Sequence, residues 1–429
     1  MRVVRTIRTP WAPYSVTFSR DGSRLAIGGG SWYGNGGIMV VRLDSGESEM
    51  LSWDSVPGSL GRRNDMPPTV SGVSFSADDQ HLAASTWSSS HHYSPTYLFQ
   101  VTDLRLTHQE TQTHRFTEDR RTPYGTGVLL FGRQTITRTN YGQASDVVQV
   151  WNSPRRLRVN ARSAPQHLTN SQMIVLGGRV MTAFSEWRTD PATMHCVRAP
   201  VRLVSVPLAA NDRDIQVIPV AECSAVTSIA ALPTGDGFLT GGRNGELDRW
   251  SWGGNWRQER LRAATQKPPD RRLPDLAWAT YNANSIVGLC SLCDGDWWAS
   301  VNASGDVDIW QSSSLLSTWN LPEPGTPRSL AAHPDRPLIA VGVKQGGFAN
   351  PTSVVILAEI EPFRPYSVPA HWPSTVVELA QSLKAGDDCR LPLSDALEDV
   401  GQTQWAEHFR RNQWHSPECW ALDVVLGRK

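Results

Sequence analysis

The sequence predicts an all-β fold, a seven-bladed β-propeller closed by its own N-terminal strand, with a small α-helical domain at the C-terminus. Three observations carry this. A unit made of an apolar strand, a tight Asp/Gly turn, a second small-residue strand and a third strand recurs along the chain. A short strand stands unassigned before the first unit. After the last unit a helical period replaces the strand period.

The unit is clearest in VTSIAALPTGDGFLTGGRNGELDRW (226–250) and SIVGLCSLCDGDWWASVNASGDVDIW (285–310), which share their turns and their closing Trp. The same template finds SVTFSRDGSRLAIGGG from Ser15, VSGVSFSADDQHLAAS from Val70, and GVLLFGRQTITRTNYGQASDVVQVW ending at Trp151. Looser copies are QMIVLGGRVMTAFSEW from Gln172 and PRSLAAHPDRPLIAVGV from Pro327, the latter with a third strand at SVVILAEI; the copies number seven. They start about 40 to 60 residues apart, against roughly 40 to 45 for a four-stranded blade, so several blades carry insertions.

The last copy supplies three strands, and residues 3–8, VVRTIR, are expected to add the fourth. Joining both chain ends in one sheet removes the unpaired edges of an open ring. The propeller is therefore assigned to residues 1–365.

GELDRW (245–250), GDVDIW (305–310) and DVVQVW (146–151) resemble the blade endings of WD40-repeat proteins. The resemblance extends over about 360 residues, judged by the repeat period. The chain departs from that family in lacking the Gly-His pair before most blades and the Asp after each closing Trp. The resemblance implies a blade whose first turn faces the bottom, while second-to-third connections and inter-blade links face the top.

Residues 374–429 read as helical. Val376, Leu379, Ala380 and Leu383 follow i, i+3, i+4, i+7 spacing, as do Leu393, Ala396, Leu397 and Val400. Thr375 and Glu378 suggest a capping box, and Gly386 and Gly401 stand where left-handed stops are needed. Further short helices are expected around Trp405 and Trp420. LPLSDALEDVGQTQWAEHFRR resembles the short repeat-companion domain appended to many bacterial proteins, with Ser394 where that pattern has Ala.

The bottom turns, SRDG, SADD, PTGDG and CDGD, are short, and the length lies on the other side. Top connections at 28–37, 85–96, 185–200 and 343–353 carry Trp32, Tyr33, Trp87, His91, His92, Tyr93, Trp187 and Phe348. Inter-blade links on the same face add Arg62, Arg63, Arg120, Arg121, Arg271 and Arg272. Aromatic and Arg side chains dominate binding hot spots, because they bury large area with few rotors and add directed donors. This face is expected to hold a protein or peptide, with acidic segments favoured.

Catalytic signatures are lacking. Cys290-x-x-Cys293 has no second pair to complete a zinc site, and His91-His92 lacks chelating spacing. The Gly-rich run at 28–37 has no following Lys-Ser/Thr, so hairpin flexibility explains it better than phosphate binding. Asp306 and Asp308 occupy the repeated turn and strand, where a neighbouring blade carries Gly245 and Asp248, and are assigned to architecture. Asn302-Ala303-Ser304 has the form of a glycosylation sequon without an export signal, and Trp151, Trp250 and Trp310 are assigned to core.

Lys plus Arg and Asp plus Glu both total 41, so no overall field draws the chain to nucleic acid or anionic lipid. No stretch approaches the roughly 18 apolar residues of a membrane span. Six scattered Cys read as reduced thiols, and a cytoplasmic location is expected. The expected function is a non-catalytic interaction scaffold or regulatory subunit, without cofactor or metal, in a regulatory or defence-type complex. The alternative is a propeller hydrolase or lyase with its site at the central channel.

Overall fold

A computed structural model describes residues 1–31, 34–51, 69–87, 96–102, 105–110, 124–131, 134–140, 146–150, 173–185, 188–189, 196–197, 201–207, 216–220, 226–232, 235–253, 255–263, 283–293, 296–346, 353–361, 366–411 and 419–427. Among them the chain is mostly antiparallel sheet. β1 (Arg2–Thr9) comes first and joins the last sheet. The next sheet orders β2 (Ala12–Phe18), β3 (Arg24–Ser31), β4 (Gly34–Arg42) and β5 (Ser48–Met50). It is followed by β6 (Thr69–Phe75), β7 (His81–Trp87), β8 (Thr96–Gln100) and β9 (Arg105–Glu110). A three-stranded sheet comprises β10 (Tyr124–Phe131), β11 (Gln134–Asn140) and β12 (Asp146–Val150).

β13 (Ile174–Leu176) and β14 (Arg179–Ser185) are followed by a two-stranded insertion of β15 (Arg188–Thr189) and β16 (Cys196–Val197). β17 (Val201–Pro207) and β18 (Gln216–Val220) then complete the sheet. Next come β19 (Val226–Ala231), β20 (Gly237–Gly242), β21 (Leu247–Trp252) and β22 (Trp256–Arg262). β23 (Ile286–Ser291), β24 (Trp297–Asn302), β25 (Asp306–Gln311) and β26 (Ser314–Asn320) repeat the order. The last sheet holds β27 (Thr326–Ala332), β28 (Leu338–Lys344) and β29 (Ser353–Glu359), with β1 antiparallel to β29 from Arg2 opposite Glu359 to Thr9 opposite Ser353.

Burial is greatest on the second strands and falls toward the fourth. β24 and β28 are buried on both faces, because sheets pack against them from either side, whereas β5 and β26 are exposed nearly throughout. First strands of neighbouring sheets stand side by side: β2 against β27 and β6, β6 against β10, β23 against β19 and β27. Trp250 and Trp310 are buried as the repeat predicts, stacked on Phe238 and Trp298. Their indoles donate to Thr240 Oγ1 at 3.1 Å and Ser300 Oγ at 3.4 Å, so each closing Trp ties its third strand to its second.

Residues 28–37 differ from the expected long connection. β3 runs to Ser31 and β4 starts at Gly34, so most of the run is strand. A Cβ on Gly29 would stand 2.1 Å from Trp11, and one on Gly28 2.6 Å from Val70. Gly28 serves close approach of the neighbouring sheet and Gly29 that of the Trp11 ring, more than turn flexibility.

Four helices follow: α1 (Ser374–Ala385), α2 (Arg390–Asp399), α3 (Thr403–Arg411) and α4 (Trp420–Val425). The capping box at Thr375 and Glu378 does not form. α1 begins at Ser374 behind Pro373, two residues before the start that a Thr375 cap requires, which leaves Thr375 inside the first turn, and no side chain caps the helix. The stops do form. Gly386 at φ +103° lets its N–H reach Leu383 O and the next N–H reach Ser382 O, and Gly401 does the same for Glu398 and Leu397.

The helices pack on the last two sheets. Val376, Ala380, Leu397, Trp405, Phe409 and Leu422 belong to one core with Val301, Ile309, Val341 and Ile356. Trp420 N donates to Asp335 O at 3.4 Å in the turn between β27 and β28, and Trp405 Nε1 donates to Ser367 O at 3.0 Å. Ser394, buried, donates to Ala406 O at 2.9 Å and joins α2 to α3. Among the described residues no helix is long and apolar enough to cross a membrane.

Candidate functional site

A β-bulge recurs at the start of the first strand. Pairing between first and second strands skips one residue between Pro13 and Ser15, Val70 and Gly72, Gly125 and Gly127, Val226 and Ser228, Ile286 and Gly288, and Pro327 and Ser329. The extra residues are Tyr14, Ser71, Thr126, Thr227, Val287 and Arg328. A bulge leaves its extra residue unpaired and re-aims its side chain.

The residue after each bulge is Ser or Gly, and packing gives the reason. Ser329 Oγ donates to Pro13 O at 3.0 Å, and Ser15 Oγ accepts from Val73 N at 3.1 Å, each bond joining first strands of adjacent sheets. A Cβ on Gly288 would lie 2.6 Å from Leu330 Cβ. Only small side chains fit where these strands approach.

The bulged residues have different fates. Thr227 Oγ1 donates to Gly241 O at 3.0 Å and to Ile286 O, and Ser71 Oγ bonds Ser85 O at 3.2 Å. Val287 is apolar and buried. Tyr14 and Arg328 differ from these: both are half-buried and lie on the adjoining strands β2 and β27. Arg328 Nε is shut off from solvent and meets no hydrogen-bond partner among the described residues, whereas ion pairs between described residues engage Arg2, Arg42, Arg249, Arg260, Arg262, Lys384 and Arg410. Burial raises the Tyr14 phenol above its ordinary value, against the opposing charge of Arg328, so Tyr14 keeps its proton at neutral pH.

Other polar groups are committed to architecture. Buried Asp308 accepts from Thr318 Oγ1 at 2.7 Å and pairs with Arg262 of the preceding sheet at 2.6 Å. Asp248, its equivalent, pairs with Arg260; burial raises its pKa and the Arg260 bond opposes that. Asn302 holds its own turn, donating to Asp306 Oδ2 at 2.7 Å and accepting from Asp306 N at 2.8 Å. Cys290 is a free thiol that burial pushes well above its usual pKa. Among the described residues no group of three or more His, Cys, Asp and Glu side chains could hold a metal ion.

Trp32, Tyr33, Arg62, Arg63, His91, His92, Tyr93, Arg120, Arg121, Trp187, Arg271, Arg272 and Phe348 lie outside the described residues. Trp87 ends β7, with its side chain also outside them. Sequence reasoning missed Tyr14 and Arg328. A signal was present, since Pro13-Tyr14-Ser15 and Pro327-Arg328-Ser329 stand at the same point of two repeats.

No protein-family model and no curated protein sequence matches the chain. Solved structures do resemble it. The WD40 repeats of RRP9 align with a TM-score of 0.56 at 14% identity, covering 83% of this chain and 98% of that one. The Cps50 (Swd1) β-propeller domain of Myceliophteria thermophila gives 0.53 at 14% identity, covering 83% and 99%. The WD40 β-propeller domain of Doa1 gives 0.54 at 12%, covering 84% and 97%. Over most of its length the chain therefore has the fold of a WD40 β-propeller.

Proposed function

We propose that the chain is a non-catalytic interaction subunit that holds a protein or peptide at the end of the propeller opposite its tight turns. We read the repeated sheets as seven blades of a ring that β1 closes, with a propeller at 1–365 and a helical domain at 374–429. The observation that carries the functional reading is the position of the helices. They pack against the turn that holds Asp335, at the bottom end of the last sheet. That occupies part of one end of the fold and leaves the other, with its long connections, to a partner.

Those connections bring the aromatic residues from Trp32 to Phe348 and the Arg pairs at 62–63, 120–121 and 271–272 to the top face in this reading. Acidic segments of a protein partner suit such a face. A place in a regulatory or defence-type complex and a cytoplasmic location belong to the same reading. The test replaces Arg62, Arg63, Arg120 and Arg121 by Glu and compares proteins captured from lysate. Loss of specific partners supports the reading; an identical set sinks it.

A further inference from the structure

Two bulged residues, Tyr14 and Arg328, stand on adjoining first strands at the same end. Tyr14 lies beside Pro13, which pairs with Gly29 near the end of β3; Arg328 lies beside Pro327, which pairs with Val343 near the end of β28. Both are thus at the end away from the tight first turns, where second-to-third connections begin. First strands of a propeller line its central channel. In the closed-ring reading proposed above, the pair stands at the channel mouth on the loop-bearing side.

A half-buried guanidinium without a counter-ion is costly, because the charge loses water and gains no carboxylate in return. Other Arg residues are matched: Arg249 pairs with Asp296 at 3.1 Å and Arg262 with Asp308 across a sheet seam, and Arg260 with Asp248 within one sheet. Arg328 departs from that pattern at a position where neighbouring bulges carry Ser71, Thr227 and Val287, which are bonded internally or apolar. Among the described residues nothing balances it, and an external anion could.

We propose that Arg328 and Tyr14 form an oxyanion-recognition site at the channel mouth, which takes a carboxylate or phosphate group. The planar guanidinium offers a fork of N–H donors that matches either group, and the protonated Tyr14 hydroxyl adds a neutral donor beside it. Ser329 ties β27 to β2 at Pro13 O and Ser15 ties β2 to β6 at Val73 N, so both donors are held before the ligand arrives. The site deepens the interaction reading and rests on it, with an acidic side chain of the partner as the natural source of the anion.

The test is fluorescence anisotropy of a labelled octaglutamate peptide titrated with the full chain, its Arg328→Gln, Arg328→Lys and Tyr14→Phe variants, and the fourfold Arg62, Arg63, Arg120 and Arg121→Glu variant. Saturable binding is expected, weakened at least about tenfold by Arg328→Gln, less by Arg328→Lys, and a few-fold by Tyr14→Phe. Inorganic phosphate that displaces the peptide identifies phosphate as a ligand; failure to displace it assigns the site to carboxylate. Arg328→Gln should melt no lower than the wild type, since it removes an unpaired charge. Equal peptide affinity in Arg328→Gln, or a melting temperature several degrees lower, overturns the site, as does tighter binding of a labelled oligonucleotide than of the peptide. If Arg328→Gln loses the peptide while the fourfold variant keeps both the peptide and its lysate partners, the anion site stands and the Arg-loop reading fails.

Discussion

Arg262 Nη1 lies 2.6 Å from Asp308 Oδ2 across the seam between β22 and β25, with its guanidinium carbon 5.8 Å from the ring centre of Trp310. Asp308 is buried and also takes the Thr318 hydroxyl. Replacing Asp308 by Ala strands the Arg262 charge and the Thr318 donor together. The expected loss is about 3 kcal/mol, the low end for a broken buried pair because Arg262 keeps some water. Urea unfolding checks it, and a change below about 0.5 kcal/mol, the scale of ordinary surface substitutions, would mean the seam does not depend on this pair.

At the opposite end of the sheets, His333 reports on pH. Its Nε2–H donates to Gly22 O at 3.0 Å, while Nδ1 accepts from the N–H groups of Asp335 and Arg336 at 3.1 Å. Burial, then the Arg336 charge, lowers its pKa to about 4, so its stabilising contribution is present above 6.5 and is lost as pH falls toward 4. Asp335 has the opposite sign. Burial raises it to about 6, against the His408 charge, so its penalty is present above 6 and is relieved as pH falls toward 3.8. Each shift corresponds to roughly 3 kcal/mol at most, at about 1.36 kcal/mol per unit. The two largely cancel between pH 6 and 4. Asp335→Asn should therefore raise stability at pH 7 and steepen its loss on acidification; parallel pH profiles for variant and wild type would refute this coupling.

Removing residues 1–10 takes β1 from the edge of β29, whose Val354, Val355, Ile356 and Leu357 are buried. β1 itself is largely exposed, so its contribution lies in backbone pairing and edge protection more than in apolar burial. The shortened chain is expected to melt at least a few degrees lower and to aggregate more readily. Unchanged melting and solubility would remove the case for ring closure by β1.

Deleting residues 374–429 uncovers the part of the shared core that the helices cover, and separates Tyr366 from Trp405 and Trp420, on which it packs. A chain ending at 373 is expected to lose solubility and show a lower unfolding midpoint. If it remains soluble with the same midpoint, the helices are an appendage whose packing contributes nothing.

The repeat was legible because its cause is local. Strand alternation, Asp/Gly turns and a closing Trp recur wherever one supersecondary unit recurs, and Trp250 and Trp310 occupy equivalent buried places as a result. The α1 and α2 stops at Gly386 and Gly401 were legible for the same reason, since a left-handed φ is a property of one residue. The capping box at Thr375 was misread because the helix starts two residues earlier, directly behind Pro373. Gly28 and Gly29 were misread as a flexible loop because the signal for close approach and the signal for a turn are the same residue type.

The candidate site was less legible. Tyr14 and Arg328 look like ordinary strand residues, and the sequence does not say that a bulge sets both on neighbouring strands or that none of the described carboxylates pairs with Arg328. The sequence by itself determined the strand units, their order along the chain and the change to helix after the last of them, because hydrophobic period and turn chemistry act over a few residues. Only the tertiary structure decided which first strands meet, that the helices pack on the last two sheets, and which charges are matched, because those depend on distances between residues far apart in the chain.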